Sequence, residues 1–242
     1  MAHEIIQLIT EDHDNFIHII ADHVHKEAMV VDPAWDAEGI KEVLAEEGLQ
    51  LVGILLTHSH HDHVNAVMDL YDEAVSLFIN AKEYPLWKDC PEDAILLSEG
   101  DEIQFADSTI SVIDTPGHTA GGTCYRIGDD LITGDTLFVY GCGRADLTGG
   151  DAAALFHSLQ KLKQLPAHTR IWVGHDYGIA QESTLGEQFA GNPFLMIDDE
   201  ADFIRYRNQL AAKTRSMPYG PINRSALQAV LHNTGEDDDS TK

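Results

Sequence analysis

Basic residues are scarce in this chain: 15 Lys and Arg stand against 41 Asp and Glu in 242 residues, a formal net charge of −26. A surface of that sign repels polyanions and argues against DNA, RNA and anionic membranes as partners. The acidic tail Glu236-Asp237-Asp238-Asp239 supplies only four of the negative charges, so the excess is spread along the chain. Either this is a soluble acidic protein, or its surface is adapted to high salt, where dense carboxylates stay hydrated and screened. Long apolar runs are missing as well: no unbroken stretch reaches about 18 residues, and no membrane span is expected. Met1-Ala2-His3-Glu4 does not begin a basic and then apolar signal segment. Cysteine is limited to Cys90, Cys124 and Cys142, with no CxxC pair. That excludes a disulfide framework, argues against a thiolate metal site and fits a reducing cytoplasm.

Short β-prone runs fill the first third. Ile5 to Ile9, Phe16 to Ile20 and Ala28 to Val31 are separated by Asp, Asn and Pro. Ile40, Val43 and Leu44 then fall at helical spacing within Asp36 to Glu47, and Gly48 is a stop. A strand over Leu51 to Thr57, an amphipathic stretch through Val64, Val67, Met68 and Tyr71, and a strand over Val75 to Ile79 complete a βαβα rhythm. From Glu102 to Gly134 the period is that of strands: Ile103 to Phe105, Thr109 to Ile113, Thr123 to Ile127 and Asp130 to Thr133. A helix follows from Asp151, with Leu155, Leu159 and Leu162 on one face and Pro166 ending it, and then a strand over Ile171 to Val173. Beyond Tyr177 the chain reads as helical, notably from Phe203 to Leu210. These runs predict a layered α/β fold, an αββα sandwich over residues 1–180. A helical extension over 181–235 and a disordered acidic tail over 236–242 follow it.

Chemistry concentrates in Thr57-His58-Ser59-His60-His61-Asp62-His63, four imidazoles and a carboxylate directly after an apolar strand. Neutral imidazole and carboxylate are ligands for zinc, iron or manganese. On a strand-like backbone His58 and His60 share a side, and a turn afterwards lets Asp62 and His63 address a second point. His118 in Thr115-Pro116-Gly117-His118, Asp135 in Thr133-Gly134-Asp135 and His175 in Gly174-His175-Asp176-Tyr177 each follow a strand next to glycine. Convergence of these four strand ends would pool seven ligands, His58, His60, Asp62, His63, His118, Asp135 and His175. Such a set suits two metals with one bridging carboxylate. His3, His13, His18, His23, His25, His157, His168 and His232 are expected at the surface.

THSHHDH, TPGHTAGG, TGDTLF with GCGR, and GHDY occur in this order between about Asp14 and Leu195. In that order and spacing the motifs resemble the metallo-β-lactamase superfamily, and within it most closely the glyoxalase II branch, the hydroxyacylglutathione hydrolases. The resemblance implies one metal on His58, His60 and His118, a second on Asp62, His63 and His175, and Asp135 as the bridge. His61 fills a variable place. Zinc is the first expectation for both ions, with iron or manganese as alternatives. The implied reaction is hydrolysis of a thioester such as an S-acylglutathione by metal-bound hydroxide, with Asp62 orienting the nucleophile. Arg144 and Tyr177 match places that contact the glutathione part of the substrate.

Two features depart from that branch. Asp146 stands where glyoxalase II tends to carry an aromatic residue, and GCGRAD and GHDY instead resemble the persulfide dioxygenases of the same superfamily. Ser183 to Glu187 and Asn192-Pro193-Phe194 resemble a glyoxalase II C-terminal segment that here arrives early. The alternatives are therefore a mononuclear Fe(II) persulfide dioxygenase on His58, His118 and Asp135, or another hydrolase of the superfamily such as a lactonase.

Overall fold

The structure is a computed structural model that describes residues 3–10 and 14–232. Strands β1 (Glu4–Thr10), β2 (Asn15–Asp22) and β3 (Glu27–Val31) form an antiparallel meander. Helix α1 (Ala37–Glu46) crosses to β4 (Gln50–Leu55), which lies parallel to β3. The Asp36 side chain caps α1 by accepting from Gly39 N, and Gly48, at φ 66°, turns the chain out of it. Two single turns of helix, α2 (His61–Val64) and α3 (Val67–Leu70), lead to β5 (Ser76–Asn80) and β6 (Ile95–Leu97). These strands close a six-stranded sheet in the order β1-β2-β3-β4-β5-β6.

Strands β7 (Glu102–Phe105), β8 (Ser108–Asp114), β9 (Thr123–Ile127) and β10 (Asp130–Gly134) begin the second sheet. Helix α4 (Ala152–Leu162), capped by Asp151, crosses to β11 (Arg170–Val173), parallel to β10, and β12 (Ser183–Thr184) adds an antiparallel edge. The order is β12-β11-β10-β9-β8-β7.

Three apolar clusters account for the layering. Ile20, Met29, Val31 and Leu55 of the first sheet meet Ile110, Val112, Tyr125 and Ile132 of the second between the sheets. Ile17, Ile19 and Ile54 face outward beneath Ile40 and Leu44 of α1 and Val67 and Leu70 of α3. On the far side Leu131, Ile171 and Val173 pack under Leu155, Leu159 and Leu162 of α4. The arrangement is the expected four-layer αββα sandwich. Among the described residues no helix is long and apolar enough to cross a membrane.

The extension shares that last cluster. Helices α5 (Leu185–Gly191), α6 (Pro193–Met196), α7 (Glu200–Arg205), a π turn (Tyr206–Leu210), α8 (Ala211–Thr214) and α9 (Arg224–His232) bring Leu185, Phe194, Phe203, Tyr206 and Leu227 into it. Thr184 and Glu187 form a reciprocal capping box at the start of α5. The predicted tail, 236–242, lies outside the described residues.

Several local expectations are corrected. β6 and β12 are strands of three and two residues, too short to show a period of their own. The stretch from Val64 to Tyr71 is two separate turns rather than one helix, and Met68 points to solvent at 55% exposure. His18 is buried at 2% exposure, with its Nε2 3.1 Å from Gln7 Oε1. The reason is that β2 is covered on both faces, so its alternation does not deliver a polar residue to water. His3 is likewise drawn inward, its side chain 8% exposed against the buried Asp130 at 3.0 Å. His13 lies outside the described residues.

Candidate metal centre

The four predicted loops lie together at one end of the two sheets. The loop after β4 is tied across the sandwich, since Thr57 O accepts from Thr123 N at 2.9 Å and Leu56 O accepts from the Tyr125 hydroxyl at 2.7 Å. Glu83, fully buried, accepts from Ser59 N, Ser59 Oγ and Gly121 N at 2.8, 2.6 and 2.9 Å, pinning the His58–His60 loop to the Gly121 loop. Close packing demands glycine at Gly134: its φ is 47°, and a Cβ there would lie 2.3 Å from Thr57 Oγ1.

His58, His60 and His118 offer three nitrogens within 4.8 Å of one another, and Asp62, His63 and His175 offer a second such set. Asp135 stands between them. Its Oδ2 lies 3.4 Å from His118 Nε2, and its Oδ1 lies 3.5 Å from both His63 Nε2 and His175 Nε2. All seven predicted ligands are thus brought together. His61 is exposed and turns edge-on to Trp35 at 5.7 Å, away from the cluster.

Three of the rings, those of His118, His58 and His63, are oriented from behind. His118 Nδ1 donates to Arg144 O at 2.7 Å, which turns Nε2 inward to 2.9 Å from His60 Nδ1. Thr57 Oγ1 donates to Asp32 Oδ2 at 2.5 Å and so accepts from His58 Nδ1 at 3.0 Å, leaving His58 Nε2 buried without a partner. His63 Nδ1 donates to Asp32 Oδ2 at 3.0 Å and presents Nε2 3.3 Å from His175 Nε2. Asn15 Nδ2 holds the Asp62 backbone carbonyl at 2.9 Å, and Trp35 Nε1 donates to Asn15 Oδ1.

Nitrogens that face other nitrogens, together with His58 Nε2 and Asp135 Oδ1, buried and without a hydrogen-bond partner among the described residues, are donor atoms of the kind a divalent cation takes. The donor set therefore fits a pair of divalent ions. The carboxylates and imidazoles of the site also act on one another. Burial would raise the Asp135 carboxyl, but His175, His63 and His118 hold it well below the usual range. Burial would lower His63, yet Asp135, Asp32 and Asp62 outweigh it and carry the ring up to about 9. Burial drives His58 well down, the form with a free lone pair.

The expected substrate contacts stand differently. Tyr177 stacks on His175 at 4.6 Å with planes 5° apart, and burial, with Asp135 and Asp62, pushes its phenol up to about 12. Arg144 is exposed at the rim, its guanidinium paired with Asp146. Asp32 and Glu83 have no counterpart among the predicted site residues. Asp32 follows the apolar run of β3 and precedes Pro33, a pattern that reads as a turn.

The model of the metallo-beta-lactamase superfamily matches residues 16–175. A probable polyketide biosynthesis zinc-dependent hydrolase, BaeB of Bacillus velezensis, is 36% identical over 197 residues, 81% of this chain and 88% of the relative. A hydroxyacylglutathione hydrolase of Methylobacillus flagellatus is 39% identical over 175 residues, 72% of this chain and 66% of the relative. The crystal structure of ETHE1 from Myxococcus xanthus superposes with a TM-score of 0.78 at 26% identity, covering 94% of this chain and 98% of that one. The matched span carries every residue of the two donor sets and Asp135, and the chain belongs to the metallo-beta-lactamase superfamily.

Proposed function

We propose that the protein is a two-metal hydrolase of thioesters, with S-acylglutathiones in its substrate range and the cytoplasm as its setting. One observation carries the reading: a single carboxylate, Asp135, stands within 3.5 Å of imidazoles from both donor sets. His58, His60 and His118 would hold one ion and Asp62, His63 and His175 the other, with Asp135 bridging. Zinc is the first choice for this ligand set, and iron and manganese are the alternatives. The names of the relatives, a zinc-dependent hydrolase and a hydroxyacylglutathione hydrolase, support the same chemistry.

When bound, the ions supply an acidified water and polarisation of the substrate carbonyl. The chain's own residues do the remaining work. Asp62, its side chain 37% exposed and its Oδ2 3.4 Å from His175 Nε2, is placed to accept a proton from the attacking water and hold it in line. Tyr177, kept as a neutral phenol, walls the His175 side and offers a hydrogen-bond donor to the substrate. A thiolate is a good leaving group, so no dedicated acid is required. Arg144 sits at the rim on the His118 side, and in this reading the thiol arm leaves past it.

Metal analysis of the purified protein, combined with assays on S-lactoylglutathione and on glutathione persulfide, tests the proposal. Two ions per chain with thioester turnover is the expected result. One iron with oxygen consumption on the persulfide overturns it in favour of the dioxygenase chemistry that GCGRAD resembles.

A further inference from the structure

Arg144 begins at the edge of the candidate metal centre, because its carbonyl accepts from His118 Nδ1 at 2.7 Å. Its guanidinium is nevertheless turned aside. Nε and NH2 donate to Oδ1 and Oδ2 of Asp146 at 2.6 and 2.8 Å, a bidentate fork that uses the face matching a carboxylate. The hydrogen bond from Arg144 holds the Asp146 carboxyl down at about 2, and the charge of Arg207 also reaches it. The other guanidiniums that reach this loop are engaged as well. Arg207 donates to Cys142 O at 3.4 Å and lies over the Phe194 ring at 5.4 Å. Arg215, partly buried, spans Tyr140 O and Gly220 O and lies over Tyr219.

A carboxylate on the thiol arm of a substrate must displace Asp146 to use the Nε–NH2 fork of Arg144, and at the remaining NH1 end it meets a cation already half neutralised by Asp146. Asp146 is two residues away on the same loop, so it competes at high effective concentration. The net charge of −26 opposes the same ligand at longer range. We infer that Asp146 is a specificity-determining residue. By occupying Arg144 it withdraws a rim cation from carboxylate-bearing thiols and tilts the site toward thioesters whose thiol arm is uncharged. The inference rests on the thioester-hydrolase reading and names the substrate class of that site.

The test compares S-acetylglutathione with S-acetyl-N-acetylcysteamine, which share the acyl group while one thiol arm has two carboxylates and the other none. Both are assayed on the metal-loaded wild type and on Asp146→Asn. The wild type is expected to favour the uncharged arm in kcat/KM. Asp146→Asn should raise kcat/KM for S-acetylglutathione about threefold at low ionic strength, through KM, as for an exposed ion pair. The gain should fade in molar salt and vanish when Arg144→Ala is added, and Asp146→Asn should give no comparable gain on the uncharged substrate. An unaltered ratio of the two substrates in Asp146→Asn overturns the role, and so does an equal gain on both. If wild type and variant turn over neither substrate, the thioester reading fails instead. Calorimetric titration with glutathione then decides on Asp146, and binding no tighter to Asp146→Asn than to wild type overturns the inference.

Discussion

Asp32 Oδ2 accepts from His63 Nδ1 at 3.0 Å, and both side chains are almost fully buried. The same carboxylate takes the Thr57 amide at 2.7 Å, so Asp32 joins the end of β3 to the loop after β4 and aims His63 Nε2 outward. Asp32→Asn keeps the shape but sets an amide donor against the ring N–H or forces the other tautomer. Loss of such an orienting partner weakens metal binding about 10- to 100-fold. The expected outcome is that affinity falls first at the Asp62, His63 and His175 set in a competitive chelator titration, with a smaller loss at the other set, whose His58 Asp32 reaches only through Thr57 Oγ1. Unchanged affinity for both would contradict the orienting role.

His58→Ala and Asp135→Ala separate a donor of one set from the proposed bridge. His58 belongs to the His58, His60 and His118 group, whereas Asp135 reaches both groups. His58→Ala should therefore lower occupancy first at one position and strip activity with it. Asp135→Ala should lower occupancy at both and be at least as severe. Metal-to-protein ratios across a chelator series, read beside kcat, check the order. Two tightly held ions in Asp135→Ala would end the bridging assignment.

The donor set was legible because function concentrates unusual residues where propensity has no use for them. Four histidines in His58 to His63 serve no strand, helix or turn, and His118, Asp135 and His175 each follow a strand beside a glycine. Asp32 and Glu83 escaped the same reasoning because each is a lone carboxylate whose role depends on partners 24 to 38 residues away. His18 was misplaced for another reason. Alternation sorts polar from apolar only where one face of a sheet meets water, and every residue of β2 is buried. Arg144 shows a third limit. Its position after the GCG turn was readable, but its pairing with Asp146 rather than with the open site is a matter of rotamers.

His18 also makes a pH prediction. Burial, with His63 adding to it, pushes the ring down to about 3, far below the ordinary histidine range near 6.5. The unfolded chain therefore takes up this proton first as pH falls. The contribution to stability is complete above about 6.5 and is lost progressively toward 3, amounting to about 2 kcal/mol by pH 5. In chelator-treated protein, the fall in unfolding free energy from pH 7 to 5 should be smaller for His18→Gln than for wild type by about that amount. Equal slopes would show that His18 is not the titrating group.

Gly174 precedes His175, and a Cβ there would lie 2.4 Å from Asp135 Oδ1 and 3.1 Å from His63 Cε1. Neither neighbour has room to yield, since Asp135 and His63 are buried and Gly174 N donates to Gly134 O at 3.0 Å. Gly174→Ala adds one methyl group to a packed site, a change that costs about 1–3 kcal/mol when its surroundings must shift. The strain falls on Asp135, the proposed bridge, rather than on the sheets, whose cores lie elsewhere. Gly174→Ala should therefore fold with a modestly lower Tm and lose at least tenfold in kcat/KM together with metal affinity. Full activity with both ions retained would mean that the close approach of the β11 loop to Asp135 is not needed to hold the bridge.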